Sequence, residues 1–264
     1  MESSNQQAVN DFMDSAFGKE IEVTGTCETH GNWATIVREK QTSGRSCPHC
    51  AAEKKSAKER KEADDKAAAA AKRRTDDLIE CGVSLRHMDK TFDAYIAQNQ
   101  EQVNALAKAR SLVESVAKDP RKVPSLIMCG KPGTGKTHLA CAIAIAAYDA
   151  GVTVCRESVA GIIREFKDSW RKESEFDEMK LLRFYGTVKL LIIEEIGVQF
   201  GSDTERMYLF EVINRRYENC LPTVLVSNLD PDKLAAEVGE RVMDRLREDG
   251  GRLIRFTGES WRKQ

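Results

Sequence analysis

Gly130-Lys131-Pro132-Gly133-Thr134-Gly135-Lys136-Thr137 decides the fold of this chain. The run fits the pattern G-x-x-x-x-G-K-[ST] at every constrained position. Its surroundings fit as well. The short apolar run at 125–129 reads as a strand, and an apolar helix follows as far as Tyr148. Glycines let such a loop wrap closely, so that backbone N–H groups point at phosphate oxygens. The following helix N-terminus adds its dipole. Lys136 is then expected at the β- and γ-phosphates and Thr137 at Mg²⁺. Gly130, Pro132, Gly133, Thr134, Gly135 and the adjoining His138 complete the candidate nucleotide-binding run.

Working outward, Leu190-Leu191-Ile192-Ile193-Glu194-Glu195 is an apolar strand that ends in two carboxylates. This is a Walker B pattern, in which the first carboxylate meets the Mg²⁺ shell and the second polarises the attacking water. Glu194 stands where aspartate is usual, and its extra methylene would crowd the metal or displace a water. The expectation is slower hydrolysis with binding retained, and faster turnover in Glu194→Asp. Glu195 is the candidate for orienting water. A further strand ends at Val226-Ser227-Asn228, where Asn228 reads either as an ordinary turn or as the sensor I of AAA+ ATPases beside the γ-phosphate.

Strands are also expected at 152–155, 189–193, 223–227 and 252–256, and helices at 102–117, 158–173, 204–219 and 232–248. Short apolar strands alternating with helices give an α/β domain with a mostly parallel sheet.

The chain has 264 residues, with 41 Lys+Arg against 42 Asp+Glu and a net charge of −1. That balance excludes nucleic-acid binding by bulk charge and leaves only local cationic surfaces. No run approaches the ~18 apolar residues of a membrane span, and the polar, acidic beginning does not read as a signal peptide. A cytoplasmic protein is expected. Eight cysteines in that setting point to metal ligation or buried thiols rather than disulfides.

Cys27-x2-His30, a gap, and Cys47-x2-Cys50 carry zinc spacing: two turns, each presenting two ligands for one tetrahedral Zn²⁺. A closed Cys₃His site is structural, and it would supply folding energy that this small unit lacks. His49 is a bystander at that spacing. Cys81, Cys129, Cys141, Cys155 and Cys220 are expected to be mostly buried small hydrophobes.

Before the ribbon (27–50), residues 1–26 are net acidic, with Val9, Phe12, Met13, Ala16 and Phe17 at helical spacing. That short helix either packs on its own domain or docks into a partner's groove. Residues 51–80 begin with a stretch rich in alanine and in alternating charge, without Gly or Pro up to residue 78. They read as a solvated linker helix. The compact domain then occupies 81–264.

From about Gly82 onward the sequence resembles the DnaC-type bacterial and phage helicase loaders of the DnaC/IstB-like group. The resemblance is carried by Phe92-Asp93-Ala94-Tyr95, by Asn104-Ala105-Leu106-Ala107-Lys108-Ala109-Arg110, and by the loop extended through His138-Leu139-Ala140. Ile196-Gly197-Val198-Gln199 and Gly239-Glu240-Arg241-Val242-Met243-Asp244-Arg245-Leu246 carry it further. It covers about two thirds of the chain. It implies an AAA+ ATPase that uses ATP and Mg²⁺, binds the hexameric DnaB-type replicative helicase and admits single-stranded DNA to it in replication.

By position, Arg245 matches an arginine finger acting in trans, with Arg241 a second candidate. Arg262, in Glu259-Ser260-Trp261-Arg262, matches the sensor II arginine. A finger in trans implies a homo-oligomer when ATP is bound. The alternative for Arg241 and Arg245 is a salt-bridged helix face. Lys167 and Trp170 lie where replication initiators contact single-stranded DNA. There an aromatic would stack on a base and a cation would follow phosphate; core packing is the alternative for Trp170. The family's small helical lid looks absent. Alternative functions are an IstB-type transposition helper and an ATP-binding helicase adaptor with weak hydrolysis.

Overall fold

The computed structural model describes residues 13–40, 46–170, 177–196 and 203–260. The chain forms two compact units, Met1–Arg73 and Arg74–Gln264.

In the first unit, residues 13–17 are helical. Two strands follow, β1 (Glu20–Cys27) and β2 (Gly31–Arg38). They pair antiparallel from Glu20↔Arg38 to Cys27↔Gly31. Sequence reading gave residues 1–26 to a helical segment, so β1 is a correction. The run Glu20-Ile21-Glu22-Val23-Thr24 alternates polar and β-branched residues, which is the period of a strand. Arg38 fastens the helical turn to the hairpin by donating to Asp14 Oδ1 at 2.6 Å and to the Gly18 carbonyl at 3.2 Å.

Helix α1 runs from Pro48 to Glu80, about 50 Å at ~1.5 Å per residue. Residues 51–74 are all exposed. Its stability there comes from alanine-rich propensity and i,i+4 pairs such as Lys55–Glu59 and Lys58–Glu62. From Arg74 on, the helix belongs to the second unit. Arg74 makes a two-pronged pair with Asp149 at 2.7 and 2.8 Å, Asp77 accepts from the Tyr148 hydroxyl, and Leu78 is fully buried.

The second unit is built on a five-stranded sheet. Its strands are β3 (Leu126–Gly130), β4 (Val154–Ser158), β5 (Leu190–Ile196), β6 (Thr223–Ser227) and β7 (Arg252–Phe256), in the order β4-β5-β6-β3-β7. All four pairings are parallel. Helices cover both faces, and this is why the central strands read as unbroken apolar runs. Leu126, Met128, Leu190 and Ile192 face one core, under α2 (Gln100–Lys118) and α3 (Lys136–Asp149). Ile127, Cys129, Leu191 and Ile193 face the other. That face is covered by α4 (Val159–Ser169), α5 (Glu178–Thr187), α6 (Asp203–Glu218), α7 (Pro231–Val238) and α8 (Glu240–Arg247).

The expected helix at 232–248 is two helices, broken at Gly239 with φ +89°. Helix α5 is an element that sequence reading missed. Its start carries a signal that could have found it: Asp177 caps the helix by accepting from the Lys180 amide at 2.7 Å. Among the described residues β7 is the last element.

Candidate nucleotide site

Because the sheet is parallel, the loops after its strands gather at one edge, the usual place for a ligand. There the loop between β3 and α3 opens onto a cleft of about 560 Å³. Pro132, Gly133, Gly135, Lys136, Thr137 and His138 line it from the loop and helix, Glu194 and Glu195 from β5, and Asn228 from beyond β6. The structure therefore brings these sequence-selected residues into one cleft. Gly130 ends β3 beneath the loop, and Thr134 is buried, donating from Oγ1 to the Lys131 carbonyl at 2.8 Å.

Gly135 has φ +99°, and a Cβ there would lie 2.8 Å from the Tyr95 hydroxyl. Both the backbone and the neighbour demand glycine. Lys136 is buried. Its Nζ donates to the carbonyls of Gly130 at 2.7 Å and Lys131 at 2.6 Å. Burial lowers its pKa to about 8. Ser260 closes on the loop as well, since a Cβ at Gly133 would meet its Oγ at 2.1 Å.

The two carboxylates differ sharply. Glu194 is buried at 6% exposure. It forms a two-pronged pair with Arg156, Nε–Oε1 3.3 Å and Nη2–Oε2 3.0 Å. Burial raises its pKa, against the lowering by Arg156. Glu195 is exposed and adopts φ +61°, a conformation that costs a non-glycine residue energy. A register shift between Ile193 and Ile196 accompanies it. The strained residue is a carboxylate facing the cleft. Ser227, which donates to the Ile196 carbonyl and accepts from the Leu229 amide, fixes the start of the turn that carries Asn228.

Sequence reading missed the opposite wall, formed by His87, Lys90, Ala94, Tyr95 and Ile96. Tyr95 is nearly buried. Its hydroxyl has no hydrogen-bond partner among the described residues, and burial pushes its pKa to about 12. His138 holds this wall in place through Nε2 to the Thr91 carbonyl at 2.9 Å and an edge-to-face contact with Tyr95.

The remaining candidates lie outside the cleft. Arg245 stacks on Tyr217, 4.3 Å from the ring centroid, and donates to Asn214 Oδ1 at 3.3 Å. It borders a separate hollow with Arg121, Lys122 and Ser125, at the start of β3 rather than its phosphate-loop end. Arg241 is exposed. Arg262, Gly197, Val198 and Gln199 lie outside the described residues. Trp170 is 56% exposed, and its Nε1 donates to the Tyr208 hydroxyl at 3.0 Å. Lys167 is paired with Glu205 at 2.6 Å.

In the first unit, the turn between β1 and β2 presents Cys27 and His30, and the start of α1 presents Cys47 and Cys50. Their ligand atoms all lie within 4.8 Å of one another. Contacts of 3.4 Å (Cys27–Cys50), 3.4 Å (Cys50–His30) and 3.8 Å (Cys27–His30 and Cys47–His30) fit the edges of a tetrahedron whose bonds are about 2.0–2.3 Å. His30 turns Nδ1 to the thiols and Nε2 to Glu53 at 3.0 Å. An outer carboxylate on a ligating histidine orients the ring. The hydrogen bonds from His30 lower the Cys27 thiol to about 6, so it is readily the thiolate. These four residues could hold a metal ion. Of the other cysteines, Cys129 and Cys141 are buried and Cys81 and Cys155 half-buried. Cys220 is exposed, contrary to expectation, because it sits in a turn at φ +54°.

Residues 59–264 match the family profile described as IstB-like ATP binding protein. The chain belongs to the IstB-like ATP-binding family. It is 36% identical over 183 residues to the replicative helicase loader DnaC of Escherichia coli strain K12, covering 69% of this chain and 73% of that one. The DnaC loader of Buchnera aphidicola subsp. Acyrthosiphon pisum is 31% identical over 182 residues, covering 69% and 73%. A crystal structure of the DnaC helicase loader superimposes with a TM-score of 0.58 at 25% identity, over 66% of this chain and all of that one. Membership in the IstB-like family fits the cleft as an ATP site of AAA+ type. The hairpin and the Cys/His cluster precede the matched residues.

Proposed function

We propose that this protein is an ATP-dependent loader of a DnaB-type hexameric helicase onto single-stranded DNA at the initiation of replication, acting in the cytoplasm. The observation that carries the reading is a complete phosphate loop and carboxylate pair in one cleft of a chain 36% identical to a named helicase loader. Lys136 and the loop amides would hold the β- and γ-phosphates. Glu194 and Thr137 would hold Mg²⁺, which, when bound, neutralises charge on the transferring phosphoryl group. Glu195 would orient the attacking water, and Asn228 would read the γ-phosphate.

Arg245 and Arg241 lie away from the chain's own cleft, which suits action on a neighbouring subunit in an ATP-bound oligomer, with Arg262 completing the site. For single-stranded DNA, the exposure of Trp170 supports a stacking role. Lys167 would first have to leave Glu205. The cysteine cluster would take one structural Zn²⁺. The units follow as a helical turn with a zinc-bound hairpin, a charged helix, and the ATPase module from about residue 74.

The test is co-purification with a DnaB-type helicase and, separately, with an IS21-type transposase, in ATP and in ADP. Capture of helicase, with single-stranded DNA changing ATP turnover, is the expected result. Capture of transposase alone would replace this reading with the transposition one. Helicase capture without measurable turnover would make the protein an ATP-binding adaptor.

A further inference from the structure

Helix α1 ends in a Schellman motif. The Val83 amide donates to the Leu78 carbonyl and the Gly82 amide to the Ile79 carbonyl, each at 2.9 Å. Leu78 and Val83 are both fully buried beneath this cap. The cap is seated on β4 at a single residue. The Arg156 amide donates to the Cys81 carbonyl at 2.8 Å, and Arg156 Nη1 donates to the Gly82 carbonyl at 2.7 Å. Gly82 lies so close that a Cβ would sit 1.8 Å from the Arg156 carbonyl oxygen.

The other edge of the same guanidinium grips both oxygens of Glu194. Glu194 in turn lines the same cleft as Thr137 of the phosphate loop. One planar cation with its donors in a fixed fork thus connects the end of α1 to the first Walker B carboxylate. Arginine is suited to this, because its fork meets a carboxylate two-pronged and still has a donor for a carbonyl.

We propose that Arg156 is a positioning residue of the ATP site: it fixes the Glu194 carboxylate at the cleft and makes glutamate, rather than aspartate, the residue this site requires at 194. The geometry gives the reason. Replacing Glu194 by aspartate withdraws the carboxylate by roughly 1.5 Å, one C–C bond. Contacts now at 3.0 and 3.3 Å then pass beyond hydrogen-bond range. A mostly buried guanidinium is left without its anion. The extra methylene therefore spans the distance to Arg156. This reverses the sequence expectation that Glu194→Asp would speed turnover.

The inference rests on the reading of the cleft as an ATP site, and one experiment separates the two. Binding of a fluorescent ATP analogue to the full-length protein is titrated with Mg²⁺ and repeated in EDTA, for wild type, Arg156→Met, Arg156→Lys, Glu194→Asp and the Arg156→Met/Glu194→Asp double variant. Removing an outer partner of a metal ligand costs about 10–100-fold in metal affinity. Arg156→Met and Glu194→Asp should each raise the half-saturating Mg²⁺ concentration by on the order of tenfold, and Arg156→Met should leave binding in EDTA unchanged. Arg156→Lys should recover part of the loss, and the double variant should be no worse than either single one, because both remove the same contact.

Glu194→Asp with a wild-type Mg²⁺ requirement, or losses that add in the double variant, would overturn the inference. Wild-type protein that binds no analogue would instead overturn the ATP-site reading. Thermal melting without nucleotide accompanies each variant. Should Arg156→Met melt early, Arg156→Lys and Glu194→Asp, which keep the buried cation, decide the matter alone.

Discussion

The two units are held together by opposite means. The second has two apolar layers on a sheet covered on both faces, with Ile127, Met128, Leu190, Ile192, Val224 and Leu225 all at 0% exposure. The first has a two-stranded hairpin, and its buried hydrophobic residues among those described are Val37 in the hairpin and Cys47 beside the start of α1. A lone hairpin in water is marginal at best. What the first unit has instead is a tight knot of three thiols and an imidazole. One unit has a water-excluding core and the other a cluster of side chains that could hold a metal ion, and their responses to perturbation should differ accordingly.

The largest contrast should come from chelation. A strong zinc chelator, or Cys47→Ser, should abolish protected amide exchange across residues 20–38, since a structural zinc supplies about 10–16 kcal/mol to a small unit. ATP binding should survive. A hairpin that keeps its protection without metal would break the comparison. Next in size is Lys136→Ala, which should weaken ATP binding on the order of a hundredfold, with the melting of the second unit little changed. Here equilibrium binding beside calorimetry is the check.

Third is Arg216, fully buried and with no carboxylate among its hydrogen-bond partners in the described residues. Nη1 donates to the carbonyls of Tyr185 and Val188, Nη2 to that of Pro222, and Nε to Thr223 Oγ1. Burial lowers its pKa to about 9. Arg216→Leu leaves those acceptors unmet and should cost about 3 kcal/mol, read by denaturant unfolding; a loss under 1 kcal/mol would mean that water replaces the guanidinium. The smallest effect concerns pH. Lys136 titrates near 8 in the free protein and must be charged to hold phosphate. Its contribution to binding is complete below pH 8 and fades above it, by about tenfold per pH unit. A flat affinity from pH 7 to 9.5 would contradict that assignment.

The sequence made the second unit more legible than the first, for a physical reason. Parallel strands covered on both faces need unbroken apolar runs, and such runs stand out at 190–193 and 223–226. The phosphate loop is also contiguous, so one eight-residue pattern delivers most of one wall. The opposite wall, His87 to Ile96, was not visible because those residues reach the cleft only through tertiary packing on α3. Nor could spacing reveal Arg156, which is 38 positions before its partner Glu194. In the first unit the ligand spacing stood out while the hairpin beside it was passed over. Its alternating residues are half-exposed and carry little hydrophobic contrast. Helix α5 went unseen because a ten-residue amphipathic segment holds few periods to recognise.

The order of strands in the sheet has a consequence for synthesis. Strand β3, which ends in the phosphate loop, is paired with β6 and β7, whose residues lie near 225 and 254. As the chain emerges from the ribosome, β3 therefore has neither of its neighbours until β4, β5 and the helices between them have been made. Pairings of such long sequence separation form late and slowly. The nascent chain passes through a period in which the loop sequence is complete but the frame that shapes it is not. A product interrupted before residue 252 would leave one edge of β3 bare, open to other chains.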